Sequence, residues 1–125
     1  MIRILLAEDE QAMREYLTRA LERSGYDVVA VDRGTAAVPL LERERFDLLL
    51  TDIVMPEMDG IELARHCNLV SPSTEVMFIT GFSGVALRVG ESMPSAKVLS
   101  KPFHLKDLVL EVERLFANEN FGELK

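Results

Sequence analysis

FDLLLTDIVMPEMDG, residues 46–60, decides the fold. Leu48 to Thr51 form a short run of apolar and β-prone residues, the signature of a buried strand, and an ionisable carboxylate, Asp52, follows where the run stops. Pro56 and then Asp59-Gly60 supply turn chemistry before a helical spacing resumes at Ile61. Asp52 is therefore expected at the carboxyl end of a central strand, the edge at which open α/β sheets hold their ligands. Taken alone, the stretch also allows Asp52 to do no more than close the turn.

Outward from this stretch the same pattern repeats. Arg3 to Ala7 (RILLA) reads as a strand and ends in Glu8-Asp9-Glu10. From Gln11 the period changes, with Met13, Tyr16, Leu17, Ala20 and Leu21 at helical spacing and Gly25 as a stop. Asp27 to Val31 is a second strand. Gly34-Thr35 opens a helix through Ala37, Leu40 and Leu41 that contains Pro39; an interior proline costs ~3 kcal/mol, so this helix is expected to start late or to kink.

Beyond the central stretch, a helix from Ile61 to Leu69 closes at Ser71-Pro72-Ser73, and Val76 to Thr80 gives a fourth strand. A short helix over Gly84 to Gly90 and a fifth strand over Ala96 to Ser100 follow, the latter ending at Lys101-Pro102. The last helix carries one apolar stripe: Leu105, Leu108, Val109, Val112, Leu115 and Phe116. Five strands alternating with five helices predict an α/β fold, a single (βα)5 doubly wound sheet of five parallel strands joined by right-handed crossovers. The expected domain covers residues 1–117. Residues 118–125 read as a short polar tail, apart from Phe121 and Leu124, and leave no room for an output domain.

A chain of 125 residues suits one domain that buries about two thirds of its unfolded surface. Its net charge of −7 opposes nonspecific binding to nucleic acid or anionic membrane, and no basic cluster relieves it. The single Cys67 has no partner for an internal disulfide. Acids arrive too early in MIRILLAEDE for a signal peptide, and no stretch approaches the roughly 20 apolar residues of a membrane helix. A soluble cytoplasmic protein is expected.

In this layout Glu8, Asp9, Asp52, Thr80 and Lys101 all converge on one sheet edge. Each has a bland reading: helix caps, a β-branched strand residue, a solvated lysine. Together they do not, because three carboxylates a few ångströms apart repel by several kcal/mol at an effective dielectric near 20, and a cation must offset them. All-oxygen ligands in an open site suit Mg²⁺. Lys101 adds a point positive charge for a phosphate and Thr80 a hydroxyl donor. A carboxylate nucleophile among these groups suits the formation of an aspartyl phosphate.

On Glu8-Asp9, on Asp52 within TDIVMPEMDG, on Thr80-Gly81 and on Lys101-Pro102-Phe103, the chain from Arg3 to about Phe116 resembles the response-regulator receiver domain, the flavodoxin/CheY-like fold of two-component signalling. The resemblance implies that Asp52 accepts a phosphoryl group from a phosphohistidine on a histidine kinase or phosphotransfer protein. It implies that Asp9, Asp52 and the Val54 carbonyl hold Mg²⁺, with Glu8 acting through water. Thr80 and Lys101 would contact the phosphoryl oxygens, and the Lys101-Pro102 bond is expected to be cis. RILLAEDE, TDIVMPEMDGIELA, FITGF and KVLSKPFHLKDLV are further similar to the stand-alone CpdR-type receivers of alphaproteobacteria. That family acts, when unphosphorylated, as an adaptor that primes the ClpXP protease, so the implied protein is a regulator rather than an enzyme, a monomer or a phosphorylation-dependent dimer. The alternative is a stand-alone receiver acting on a kinase or motor.

This chain also departs from the receiver pattern. Where receivers carry Tyr or Phe three residues before the lysine, it has Val98, so the switch is expected to run through backbone or fourth-helix movement. Val54 and Phe82 flank the phosphorylation site with apolar groups, which predicts slow loss of the phosphoryl group. Val85, Leu87, Val89 and Leu110 are candidates for an apolar partner surface. His66 and His104 read as surface residues, and Cys67 as a small buried hydrophobe. A haloacid-dehalogenase-type phosphatase would need a second Asp two residues after the nucleophile, where Val54 stands. A nucleotide-binding module would need glycines after the first strand, where the loop is acidic.

Overall fold

A computed structural model describes residues 1–81, 93 and 96–123, with side chains as far as residue 117. Its strands are β1 (Arg3–Ala7), β2 (Asp27–Val31), β3 (Leu48–Asp52), β4 (Glu75–Thr80) and β5 (Lys97–Ser100). Among the described residues the helices are α1 (Gln11–Arg23), α2 (Gly34–Arg43), α3 (Gly60–Val70) and α4 (Leu105–Glu123). The expected helix over Gly84 to Gly90, with Phe82, Val85, Leu87 and Val89, lies outside the described residues. The five strands form one sheet in the order β2-β1-β3-β4-β5, every pair parallel.

Period-two alternation sorts the strand side chains into two cores. Leu5, Ala7, Leu49 and Phe78 face one way and pack with Ala37 and Leu41 of α2 and with Leu63, Ala64 and Cys67 of α3. Ile4, Leu6, Leu48, Leu50, Met77 and Ile79 face the other way, onto Leu17 and Leu21 of α1 and Leu108, Val112 and Phe116 of α4. β3 lies between β1 and β4 and is buried along its whole length, as its unbroken apolar run requires.

Helix ends follow local chemistry. Asp59 caps α3, its carboxylate accepting from the Glu62 N–H at 2.9 Å. α2 starts at Gly34 with Pro39 inside it, so the late start is overturned: the helix forms although Pro39 supplies no N–H for it. α4 runs on to Glu123, past the end that the apolar stripe marks, so part of the segment read as a tail is helical.

At the amino edge of the sheet, Arg3 is the hub. Its guanidinium donates to Asp27 (3.0 Å), to Glu44 (3.0 Å) and to the Arg45 carbonyl (3.0 Å), and stands 4.7 Å from the centre of the Phe46 ring. Its backbone N–H donates to the Asp47 carboxylate at 2.8 Å. Among the described residues, no helix is long and apolar enough to cross a membrane.

Candidate functional site

Three strands end in the acids and hydroxyl of the opposite edge. β1 delivers Glu8 and Asp9, β3 delivers Asp52 as its last residue, and β4 ends at Thr80. The parallel register brings these ends level: Ala7 stands opposite Thr51, Asp52 opposite Ile79 and Thr80 opposite Ser100. Lys101 follows Ser100, and its N–H donates to the Thr80 carbonyl at 2.7 Å. The bond from Lys101 to Pro102 is cis, as the receiver resemblance implies.

The carboxylates meet as the topology requires. Oxygens of Glu8, Asp9 and Asp52 lie within 4.8 Å of one another, with Glu8 and Asp52 buried and Asp9 exposed. The Lys101 ammonium lies between two of them, Nζ donating to Glu8 Oε1 and to Asp52 Oδ2, each at 3.1 Å. Glu8 is fully buried; burial first, and then the Asp52 charge, push its pKa up to about 7. The Glu10 N–H, at 3.2 Å from Glu8 Oε2, and Lys101 oppose that rise. Burial alone would lower the pKa of Lys101, but hydrogen bonds and charge from Asp52 and Glu8 outweigh it and raise the pKa. Thr80 is buried at the same edge.

The loop after Asp52 is set from beneath. The Val54 N–H donates to Asp52 Oδ1 at 3.3 Å, and the Gly60 N–H donates to the Ile53 carbonyl at 2.7 Å. A Cβ on Gly60 would stand 2.2 Å from the Asp52 carbonyl oxygen, so only glycine permits this close approach. Glu57 adopts a φ of 70°, and its carboxylate accepts from the Thr35 hydroxyl at 3.1 Å, in the first turn of α2. Asp59-Gly60 reads as turn chemistry in sequence. That Gly60 serves packing under Asp52 shows only when the strand end and the helix start are in place.

Other singled-out residues fall elsewhere. Val54, whose N–H meets Asp52, is 47% exposed. Val98 stands opposite Phe78 and packs, partly buried, on the α2/α3 core. Leu110 is 46% exposed on α4. His66 pairs with Glu42 at 3.1 Å between α3 and α2, and exposed His104 accepts the Asp107 N–H through its carbonyl. Cys67 is buried, which pushes its thiol up to about 11 although a hydrogen bond with Thr74 opposes the rise.

Sequence reasoning missed one feature beside the site. Met13 and Tyr16 of α1 and Lys101, Pro102 and Phe103 line a groove of about 390 Å³. Met13 and Tyr16 read in sequence simply as members of the α1 apolar stripe; the exposure of Tyr16, at 54%, is a tertiary fact.

Residues 4–113 match the family model described as the response regulator receiver domain. The chain is 58% identical over 116 residues to the response regulator receiver protein CpdR of Brucella abortus, covering 92% of this chain and 97% of that protein. Several other curated relatives are longer, and the chain spans between 25% and 54% of their length. Among solved structures it is similar to the response regulator TrrA of Thermotoga maritima, a complex with Mg²⁺-BeF, with a TM-score of 0.83, 28% identity and coverage of 92% of this chain and 99% of that one. It is also similar to the chemotaxis protein CheY4 of Vibrio cholerae, with a TM-score of 0.82, 26% identity and coverage of 91% and 98%.

Proposed function

The chain belongs to the response regulator receiver family of two-component systems, and from that premise we propose that Asp52 accepts a phosphoryl group and that its state of phosphorylation gates protein contacts. The observation that carries this reading is the Lys101 ammonium held 3.1 Å from both Glu8 and Asp52 inside a three-carboxylate cluster.

The donor set fits a hard divalent cation, being all oxygen, clustered and acidic beyond what one lysine neutralises. Asp9 and Asp52, with the Val54 carbonyl, would hold Mg²⁺, Glu8 acting through water. When bound, that ion supplies charge neutralisation for the phosphoryl oxygens. Asp52 is the nucleophile, its carboxylate aimed by the Val54 N–H and by Lys101. Lys101 moves from bridging two carboxylates to pairing with the incoming phosphoryl oxygens, and the Thr80 hydroxyl donates to the same group. Val54 stands at the mouth and slows the approach of hydrolytic water, so the phosphoryl group is long-lived.

The phosphodonor is a histidine kinase or phosphotransfer protein. Likeness to the Brucella CpdR protein supports a CpdR-type role, in which the unphosphorylated form acts as an adaptor for the ClpXP protease. Leu110 belongs to the partner-facing side, and Val98, packed on the α2/α3 core, stands at the switch position. The test is intact mass after incubation with acetyl phosphate and Mg²⁺. The wild type gains one phosphoryl group and keeps it for minutes; Asp52→Ala and a chelator control gain none. Absence of the gain in wild type would overturn the reading, and loss within seconds would overturn the shielding by Val54.

A further inference from the structure

The loop that carries Val54 from Asp52 to α3 is tied at its base and at its tip. The base closes where the Gly60 N–H donates to the Ile53 carbonyl at 2.7 Å. At the tip the Met58 N–H donates back to the Pro56 carbonyl at 2.8 Å, with Glu57 between them at a φ of 70°. That is a γ-turn of the strained kind, and a left-handed φ is where glycine or asparagine usually stands. Glutamate is an unfavourable local choice there, and such a conformation persists only where the surroundings hold it. The hold comes from another loop. The Thr35 hydroxyl, in the first turn of α2, donates to Glu57 Oε2 at 3.1 Å, and the Arg33 guanidinium lies 3.9 Å from Glu57 Oε1. Asp32 fixes Arg33 in turn, accepting from its Nε at 3.0 Å and from its Nη2 at 3.2 Å. Between Arg33 and Thr35 the chain runs close against Met58: a Cβ on Gly34 would stand 3.1 Å from the Met58 carbonyl oxygen. Both carboxylate oxygens of Glu57 thus face groups at the start of α2.

We propose that Thr35 is a positioning residue for the Mg²⁺ site, holding the loop of Val54 in its binding shape through Glu57. The inference rests on the proposed metal reading and deepens it. Asp52 ends β3 and Asp9 follows β1, so the sheet itself places these two ligands. The Val54 carbonyl belongs instead to a loop with a strained tip, and its place depends on what holds that tip. Thr35 touches neither the ion nor the phosphoryl group. It removes alternative shapes of the loop before the ion arrives, so that binding does not have to.

The experiment compares wild type, Thr35→Val and Thr35→Ser, with the Kd for Mg²⁺ read from the rise of Tm across a Mg²⁺ titration and no phosphodonor present. Thr35 is exposed, valine keeps its shape and the net charge, and the N-cap residue of α2, Arg33, makes no side-chain cap bond that the change could break. The Kd is expected to rise about threefold in Thr35→Val and to keep its wild-type value in Thr35→Ser, where the hydroxyl remains. An unchanged Kd in Thr35→Val, with or without a lower Tm in the absence of metal, would make the hydrogen bond merely structural and overturn the positioning role while leaving the metal site intact. An equal rise in both variants would also overturn it, since the hydroxyl would not be the cause. No binding of Mg²⁺ to wild type would overturn the metal reading and this inference with it.

Discussion

The two ends of the sheet use the same kinds of charge to opposite effect. At the amino edge one guanidinium, Arg3, meets Asp27, Glu44, a carbonyl and an aromatic face, and both carboxylate partners are half in water. At the carboxyl edge one ammonium, Lys101, meets Glu8 and Asp52 with Asp9 beside them, and Glu8 and Asp52 are buried. The first arrangement sets two carboxylates against one guanidinium, but in the open, where solvent screens them. The second sets three carboxylates against one ammonium in a place where screening is weak, which leaves negative charge that, on the proposed reading, a bound cation offsets. What separates a structural cluster from a reactive one here is proportion and burial, not residue type.

Three experiments probe that contrast. The largest effect is expected from Gly60→Ala, because the new Cβ would fall on the Asp52 carbonyl and displace the strand end that aims the carboxylate. Overpacking of this kind costs about 1–3 kcal/mol. Denaturant unfolding should show that loss, and phosphoryl incorporation at Asp52 should fall with it. Normal incorporation in a folded Gly60→Ala protein would show that the carboxyl edge is not set from beneath.

The second experiment varies pH without metal. Glu8 has a folded-state pKa of about 7 against 4.5 in its ordinary state. Below 4.5 it is protonated in both states and costs nothing. Between 4.5 and 7 the unfolded chain gives up a proton that the folded chain keeps, so this group makes stability fall as pH rises, with the full cost present above 7. Thermal unfolding should therefore show a Tm difference between wild type and Glu8→Gln that widens by a few degrees from pH 5 to pH 8 in the variant's favour. Mg²⁺ should raise the wild-type Tm more at pH 8 than at pH 5. A difference independent of pH would remove the claim that the carboxyl edge is under electrostatic strain.

The smallest effect is expected at the solvent-screened end. Arg3→Ala should lower Tm by about a few degrees, less so in high salt, and leave phosphoryl incorporation unchanged. Altered incorporation would mean that the two edges are coupled through β1.

Much of this was legible in sequence, for reasons tied to particular residues. β3 was readable because Leu48 to Leu50 are apolar without interruption, as burial on both faces demands, and the end of that run placed Asp52. The convergence of Glu8, Asp9, Asp52, Thr80 and Lys101 followed from parallel topology, since every strand must then end at the same edge. Four features were not legible. The start of α2 before Pro39 depends on tertiary packing outweighing a local penalty, and the run of α4 to Glu123 goes beyond its apolar stripe. The Arg3 hub draws partners from two separate segments, Asp27 at the start of β2 and the loop from Glu44 to Asp47, neither of which advertises the other. The groove at Tyr16 arises because α1 and the turn after β5 meet, a contact between parts of the chain that no local pattern relates.

The strand order has one more consequence, in time rather than in space. β3 is paired on both sides, with β1 and β4, whereas among the described residues β5 pairs with β4 alone. In deuterated buffer the amides of Leu49 and Leu50 should exchange only when the whole molecule unfolds, while those of β5 exchange through shallow local openings. Asp52 thus ends a strand that opens slowly, and Lys101 follows one that opens more readily. On the proposed reading, a phosphoryl group at Asp52 would be held still while the strand leading into Lys101 stays free to answer it.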